Sequence, residues 1–299
     1  MNRNYLLFFI LFVLLSGCAE KPITGSGGRI IDHPPAINRI MSAAPSNTEI
    51  IAGLGLADKL VAVDKYSKDV EGIQKDLPEI DLFYPDMESI AGLKPDIIFA
   101  AEINTNGRDE TGFEFFRNLG VRIIQIPTSN SIEEIYGTII FIAQALGAEE
   151  KGEDLVRIMK EKIKSVVQSV EVSGTEKSVY FEIAPVPNMV SFGRGTYLNE
   201  LIEITGARNI FAGEKRWFTP SSEAVIRSNP DVIFVLDGKD NMTADGTAAI
   251  AELKKRPGFQ TITAVRRNRI YPINGNHASR PSQNIVLTLE EMYRAVYSE

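Results

Sequence analysis

Short apolar runs alternate with amphipathic segments along the chain from residue 39 onwards. The runs have the length and composition of buried strands and lie at 39–42, 60–63, 96–100 and 121–126. The amphipathic segments between them end at glycine or proline and predict helices at 49–54, 88–93, 113–119 and 132–146. This βα alternation predicts a mostly parallel sheet that is covered by helices.

The same alternation begins again after residue 177. It predicts strands at 178–182, 231–236 and 269–273, and helices at 197–205, 223–228, 250–255 and 286–296. The chain length also fits about two domains. We therefore predict an α/β protein with two Rossmann-like lobes, each containing a mostly parallel sheet.

One segment occurs in both halves. Glu88–Phe99 recurs 135 residues later as Glu223–Phe234. Five of the twelve positions are identical, namely those of Glu88, Pro95, Asp96, Ile98 and Phe99. A short helix must end before the proline, because the residue preceding proline is disfavoured in the α region. The aspartate then begins a buried strand. The repeat favours two similar lobes over a chance resemblance of two segments.

A charged segment at 148–170 separates the two halves. Its apolar residues form one stripe at helical spacing and are Leu155, Met159, Ile163, Val166 and Val170. A helix of this length would span about 35 Å. We predict a rigid connection between the lobes; the alternative is a surface helix of one lobe. The predicted boundaries are 38–147 for the first lobe, 148–171 for the connecting helix and 172–299 for the second lobe.

The N-terminus has the order of an export signal. A positively charged start precedes an apolar run at 5–15, which is too short to span a membrane as a helix of about 20 apolar residues. Leu15–Cys18 resembles the lipobox of bacterial lipoproteins. That resemblance implies removal of the signal peptide 1–17 and anchoring of a lipidated Cys18 on the extracytoplasmic face of the cell membrane. Residues 18–37 are rich in Gly, Ser and Pro and predict a flexible tether.

Composition excludes several classes of function. The net charge of −7 and the lack of a basic stripe argue against a nucleic-acid partner. Cys18 is the single cysteine and His33 and His277 are the only histidines, so we expect neither disulfides nor a His-rich metal site. No Gly-x-Ser-x-Gly elbow is present, which argues against a hydrolase. Three classes of function remain: a binding protein and, as alternatives to it, an enzyme or a structural lipoprotein.

The chain resembles the helical-backbone class of substrate-binding proteins of ABC importers, which carry vitamin B12, ferric siderophores or haem. The motifs that carry this resemblance are Ser46–Glu49, Leu93–Ile98, Tyr180–Ile183, Gly195–Glu200 and Asn229–Ile233. It implies a monomer that binds a metal chelate between its lobes, has no cofactor of its own and delivers the ligand to a permease dimer with ATPase subunits. The preferred ligand is a corrinoid, with a ferric siderophore or haem as alternatives.

The resemblance also implies a docking role for Glu88 and Glu223. In this class one glutamate on each lobe contacts arginines of the two permease subunits. The repeat agrees with this role, because a pair of equivalent charges suits a two-fold symmetric partner. The alternative is that each glutamate stabilises its helix through the N-terminal dipole.

The expected ligand-binding residues lie near the C-terminal ends of the strands. Tyr66 and Trp217 resemble pocket aromatics of the B12-binding branch, and Trp217 is expected in a polar loop. Ser46 and Asn47 are expected either to donate to the ligand or to cap the helix, and Tyr84 with Phe83 either to line the pocket or to have a packing role. Arg280 is expected to hold an anionic ligand. For His277 the two roles are metal ligation and simple solvation. For Ser46, capping with Glu49 three residues later is the preferred interpretation.

Overall fold

Two parallel sheets organise the computed structural model, which describes residues 37–81, 86–101, 111–170, 176–238 and 245–297. The predicted signal peptide, Cys18 and the tether up to residue 36 lie outside the described residues. In the ranges that are described, none of the helices combines the length and apolar character needed to cross a bilayer.

The strands of the first sheet lie between residues 40 and 126. Its strands are β1 (Ile40–Ser42), β2 (Leu60–Asp64), β3 (Glu79–Ile80), β4 (Ile97–Ala101) and β5 (Arg122–Ile126). They are parallel and lie in the order β3-β2-β1-β4-β5. The helices of this half are α1 (Pro45–Gly53), α2 (Met87–Gly92), α3 (Thr111–Asn118) and α4 (Ile132–Leu146). A 3₁₀ turn at Ala57–Lys59 leads into β2.

The long helix α5 (Glu149–Val170) follows α4 and joins the two halves of the chain. Met159 and Val166 of the predicted stripe are buried, and Leu155 and Ile163 pack against the core beside them. The opposite face carries exposed charged side chains, including an ion pair between Arg157 and Glu161. The amphipathic pattern therefore predicted correctly which face of α5 packs against the core.

The strands of the second half lie between residues 178 and 274. The strands of this half are β6 (Ser178–Glu182), β7 (Ser191–Phe192), β8 (Arg208–Asn209), β9 (Trp217–Phe218), β10 (Val232–Asp237) and β11 (Ile270–Asn274). The parallel sheet has the order β11-β10-β6-β8, while β7 and β9 form a separate antiparallel ribbon. The helices are α6 (Tyr197–Ile204), α7 (Ser222–Ser228), α8 (Gly246–Lys255), α9 (Thr263–Arg266), α10 (Gly275–Ser279) and α11 (Ile285–Tyr297). A 3₁₀ turn at Phe259–Thr261 precedes α9.

Alternate residues of each strand enter different hydrophobic clusters. In β4, Ile97 and Phe99 join a cluster that also contains Val232 and Phe234 of β10 and residues of α4, α5 and α11. Ile98, between them, joins a second cluster on the opposite face of the first sheet. This is the two-residue period expected when both faces of a parallel sheet are buried. The two halves therefore share one core and each has a smaller core of its own.

The repeated segment has the same backbone in both halves. Lys94 and Asn229, which precede the prolines, both have a left-handed φ, 46° and 45° respectively. The aspartate after the proline accepts a backbone hydrogen bond at the start of the neighbouring strand. Asp96 accepts from the N–H of Arg39, directly before β1, and Asp231 accepts from the N–H of Ser178, the first residue of β6. The sheet orders also correspond, since β2-β1-β4-β5 matches β8-β6-β10-β11. The predicted fold class, two Rossmann-like lobes bridged by a long helix, is confirmed.

The predicted cap at the start of α1 is wrong. The N-cap residue is Ala44, whose side chain makes no capping bond, and Pro45 occupies the first helical position. Proline fits there because its missing N–H would have no partner in the helix. Ser46 therefore lies inside the first turn, and Glu49 is buried instead of closing a capping box.

Asp231→Asn is expected to reduce the free energy of unfolding by about 1 kcal/mol at pH 7, because Asp231 Oδ2 accepts bonds from Ser178 N (2.9 Å) and Oγ (2.7 Å). Burial raises the pKa of Asp231, but the hydrogen bonds from Ser178 outweigh it, so the pKa is lowered overall. A carboxyl group whose pKa is lower in the folded than in the unfolded state stabilises the fold at pH values above its unfolded-state pKa. This stabilisation is lost as the pH falls through the folded-state pKa.

Urea denaturation at pH 7 and near pH 3 measures this contribution. The difference between the parent and Asp231→Asn should shrink at the lower pH. Asp76→Asn, at an exposed turn position, is the control and should change stability by less than about 0.5 kcal/mol at either pH. An equal loss at both pH values would contradict the assigned role of the carboxylate.

Candidate functional site

A buried chain of hydroxyl groups supports the turn after β2. Thr48 Oγ1 lies 2.8 Å from Ser42 Oγ and 2.9 Å from Ser67 Oγ. Ser67 Oγ in turn donates to the carboxylate of Asp64, and the same carboxylate accepts the backbone N–H of Tyr66 at 2.8 Å. The end of β2 and the start of α1 are thereby fixed to one another.

Tyr66 is displayed by this rigid turn. Its side chain is 38% exposed, and the ammonium of Lys65 lies 4.9 Å from the ring centroid. Burial raises the pKa of the supporting Asp64, more than the hydrogen bonds from Ser67 and Tyr66 lower it. An exposed aromatic ring on a fixed backbone at the C-terminal end of a strand is suited to contact a flat apolar ligand.

Trp217 lies on the β7–β9 ribbon, whereas the sequence predicted a loop. Its side chain is 46% exposed, and one edge packs on the fully buried Phe192, with ring centroids 5.6 Å apart and planes at 72°. Gly193 allows the chain to cross closely behind this ribbon, since a Cβ there would lie 2.3 Å from the carbonyl oxygen of Glu214. The indole is thus anchored on one side and open on the other.

The two polar candidates in the first turn of α1 differ in exposure. Ser46 is partly exposed, while Asn47 is almost fully buried. Within the described part of the chain, the side-chain nitrogen of Asn47 has no hydrogen-bond partner. Tyr84 and Phe83 lie outside the described residues, so their predicted role stays a prediction.

Arg280, which the sequence predicted to hold an anionic ligand, has its guanidinium paired with carboxylates of its own chain. Its side chain is buried, and it forms ion pairs with Glu49 at 3.1 Å and Asp69 at 2.8 Å. Its Nη2 also donates to the backbone carbonyl of Tyr66 at 2.8 Å. The structure therefore brings Arg280 and Tyr66 into direct contact, and Arg280 binds carboxylates of its own chain. Sequence reasoning missed Glu49 and Asp69 as its partners.

His277 lies in the short helix α10, with Nδ1 3.6 Å from Glu291 Oε1. Burial raises the pKa of Glu291, but contacts with His277 and the backbone N–H of Asn274 outweigh this and lower it overall. Across the described ranges, His, Cys, Asp and Glu side chains form no group of three that could hold a metal ion. The geometry thus places His277 beside one carboxylate.

Glu88 and Glu223 occupy equivalent positions on the two lobes. Each is the second residue of its helix, α2 or α7, and each side chain is exposed. Each helix is capped by the preceding side chain: Asp86 accepts from Ser89 N–H, and Ser221 accepts from Ala224 N–H. Each helix therefore has an N-terminal cap that does not involve the glutamate, and both glutamate carboxylates are exposed to solvent.

A pocket of about 480 Å³ lies beside Glu223 and was not predicted from the sequence. Its other lining residues are Val186, Ser222, Ile226, Glu252, Lys255, Arg256 and Pro257. In its wall, Arg256 forms a buried two-armed ion pair with Glu182, with Nη–Oε distances of 2.6 and 2.8 Å. The hydrogen bonds with Glu182 and Glu252 overcome burial and raise the pKa of Arg256, which keeps its charge.

Comparison with known proteins identifies the family to which the chain belongs. Residues 40–276, which include both sheets, match the family model described as periplasmic binding protein. The chain belongs to the periplasmic binding protein family. The equivalent lobes and the long helix between them are therefore features of a periplasmic binding protein.

Three proteins illustrate the relationship. An uncharacterized ABC transporter substrate-binding lipoprotein, YvrC of Bacillus subtilis, is 30% identical over 266 residues, 87% of this chain and 80% of its own length. A vitamin B12-binding protein of Vibrio parahaemolyticus is 25% identical and covers 93% of this chain and 97% of its own. The solved structure of a possible iron-binding protein from Staphylococcus epidermidis has a TM-score of 0.78 and 29% identity over 88% of this chain and 100% of its own. All three are named as binding proteins.

Proposed function

We propose that this periplasmic binding protein captures a corrinoid of the vitamin B12 type between its lobes and delivers it to an ABC permease. The observation that carries the proposal is the exposed indole of Trp217, which is 46% exposed although it is anchored on Phe192. Large exposed rings on a rigid support are costly in water and suited to a flat apolar face. The vitamin B12-binding relative supports the corrinoid as first choice.

A ferric siderophore or haem is the alternative ligand. The structural similarity to a possible iron-binding protein supports it. The ring of Tyr66, with the Lys65 ammonium close by, combines an aromatic face with a positive charge and would also suit an anionic iron chelate. Both alternatives keep the transport role and differ only in the chelate that is carried.

Delivery is proposed to depend on Glu88 and Glu223. Their equivalent, exposed positions at the starts of α2 and α7 support docking to a two-fold symmetric permease. Localisation is proposed on the extracytoplasmic face of the cell membrane through lipidated Cys18. The Leu15–Cys18 motif and the lipoprotein relative support this anchor.

Titration with cyanocobalamin, followed by Trp217 fluorescence and calorimetry, is expected to show saturable sub-micromolar binding. Because Trp217 is the only tryptophan, the fluorescence change reports this position alone. Trp217→Ala should weaken binding about tenfold to a hundredfold, through loss of about 1.4–2.8 kcal/mol of ring contact.

The same titration with haemin and with ferric siderophores distinguishes the alternatives. Val186→Ala serves as a control, because Val186 is also exposed (40%) but lines the pocket beside Glu223. Its cyanocobalamin affinity should equal that of the parent. Binding of haemin or a siderophore without cyanocobalamin would replace the corrinoid proposal, and no binding of any of them would remove support for a chelate ligand.

A further inference from the structure

The segment after α10 crosses from the second lobe to the first. Four of its side chains contact Glu49 of α1. Glu49 Oε1 accepts from Arg280 at 3.1 Å, and Oε2 accepts from Asn284 at 2.9 Å and from the hydroxyl of Ser282. The backbone carbonyl of Glu49 accepts from Gln283 at 2.8 Å. One turn of α1 is therefore bonded to one short segment of the opposite lobe.

A second carboxylate extends these contacts to the turn after β2. Asp69 Oδ1 accepts from Arg280 Nη2 at 2.8 Å, and its other oxygen accepts the side-chain amide of Asn276. The same Nη2 donates to the carbonyl of Tyr66 at 2.8 Å. We call Glu49, Asp69 and Arg280 the interlobe latch.

The pair of Arg280 and Glu49 at the centre of the latch is buried and closely fitted. The side chains of Arg280 and Glu49 are only 8% and 4% exposed, so the desolvation of both charges is offset only while they stay paired. Next to them a Cβ on Gly53 would lie 2.8 Å from Gln283 Nε2 and 3.2 Å from Leu155 of α5. The helix, the crossing segment and α5 thus meet without spare space.

The apolar contacts of the shared core hold the two lobes together, but hydrophobic burial by itself favours no particular direction. Charge-assisted hydrogen bonds are directional, and a guanidinium with two carboxylates defines one geometry. We infer that the interlobe latch sets the angle between the two lobes and, with it, the spacing of Glu88 and Glu223. Arg280 is then a positioning residue that also holds the backbone of Tyr66. The consequence for delivery rests on the proposed function, whereas the effect on spacing does not.

Spin labels at the two docking positions measure this spacing directly. The full chain with Cys18→Ser has no other cysteine, so Glu88→Cys and Glu223→Cys can both be labelled. We expect a narrow distance distribution in this background. Arg280→Ala should broaden it and shift it to a different mean. Arg280→Lys should give an intermediate result, because a lysine keeps the charge without the two-armed geometry.

The matched control is Arg256→Ala, which removes a buried arginine from an ion pair inside the second lobe. It should lower stability but leave the distance distribution unchanged. An unchanged distribution in Arg280→Ala, or an equal change in Arg256→Ala, overturns the inference. If Arg280→Ala does not fold, Asp69→Asn replaces it, since the Asp69 side chain is half exposed. Asp69→Asn should broaden the distribution in the same direction, and no broadening would again overturn the inference.

The spacing measurement needs neither ligand nor permease. If Glu88 and Glu223 prove irrelevant to uptake, the proposed docking fails while the spacing result is unaffected. If the spacing is independent of the latch, the inference fails while docking can still hold. The two failures are therefore distinguishable.

Discussion

Replacing Glu88 and Glu223 together by alanine is expected to abolish uptake through the permease while ligand affinity stays at the parent value. Both carboxylates are exposed at equivalent positions of the two lobes, and neither is needed to cap its helix. Loss of two charges from a docking face removes electrostatic complementarity with the partner. Uptake into proteoliposomes that contain the permease and its ATPase, together with calorimetric ligand titration, measures both quantities.

Glu133→Ala is the matched control for this experiment. Glu133 is also exposed and is also the second residue of its helix, α4, but the repeat has no counterpart for it in the other lobe. It should leave both uptake and affinity unchanged. The single variants Glu88→Ala and Glu223→Ala should each reduce uptake, because each would meet a different permease subunit. Undiminished uptake in the double variant would refute docking by this pair, and lost ligand affinity would assign the glutamates to the binding site instead.

The fold could be predicted because its signals are local. Alternation within each strand, the stripe on α5 and the repeat of Glu88–Phe99 each occupy a short stretch of sequence. The β7–β9 ribbon was missed because its two strands have two residues each, too few to show a period. Trp217 was accordingly expected in a loop.

The interlobe latch could not be predicted, for a different reason. Its partners are separated by 231 residues between Glu49 and Arg280 and by 211 between Asp69 and Arg280, so no local pattern links them. One local signal existed: Glu49 directly precedes Ile50 and Ile51 in a short apolar helix, where a charge needs a partner if the helix is buried. The spacing from Ser46 to Glu49 instead suggested a capping box, but the helix begins at Pro45, which places Ser46 inside the first turn.

Replacing Arg256 by alanine is expected to reduce the free energy of unfolding by about 3–5 kcal/mol. Arg256 and Glu182 are 5% and 2% exposed, and Arg256 also donates through Nε to Glu252 at 2.9 Å. The variant leaves the Glu182 carboxylate buried, and among the described residues the hydroxyl of Tyr180, at 3.1 Å, is its remaining hydrogen-bond donor. Urea denaturation at pH 7 measures the loss, and ligand titration under native conditions tests whether the folded fraction still binds.

A double variant identifies the cause. Without Arg256, the Glu182 carboxylate stays buried without its charged partner, and this uncompensated charge should account for most of the lost stability. Glu182→Gln with Arg256→Met removes both charges and keeps an acceptor for Tyr180, and should recover a large part of the lost stability. A deficit that persists in the double variant would mean that packing of the arginine, rather than the unpaired carboxylate, dominates.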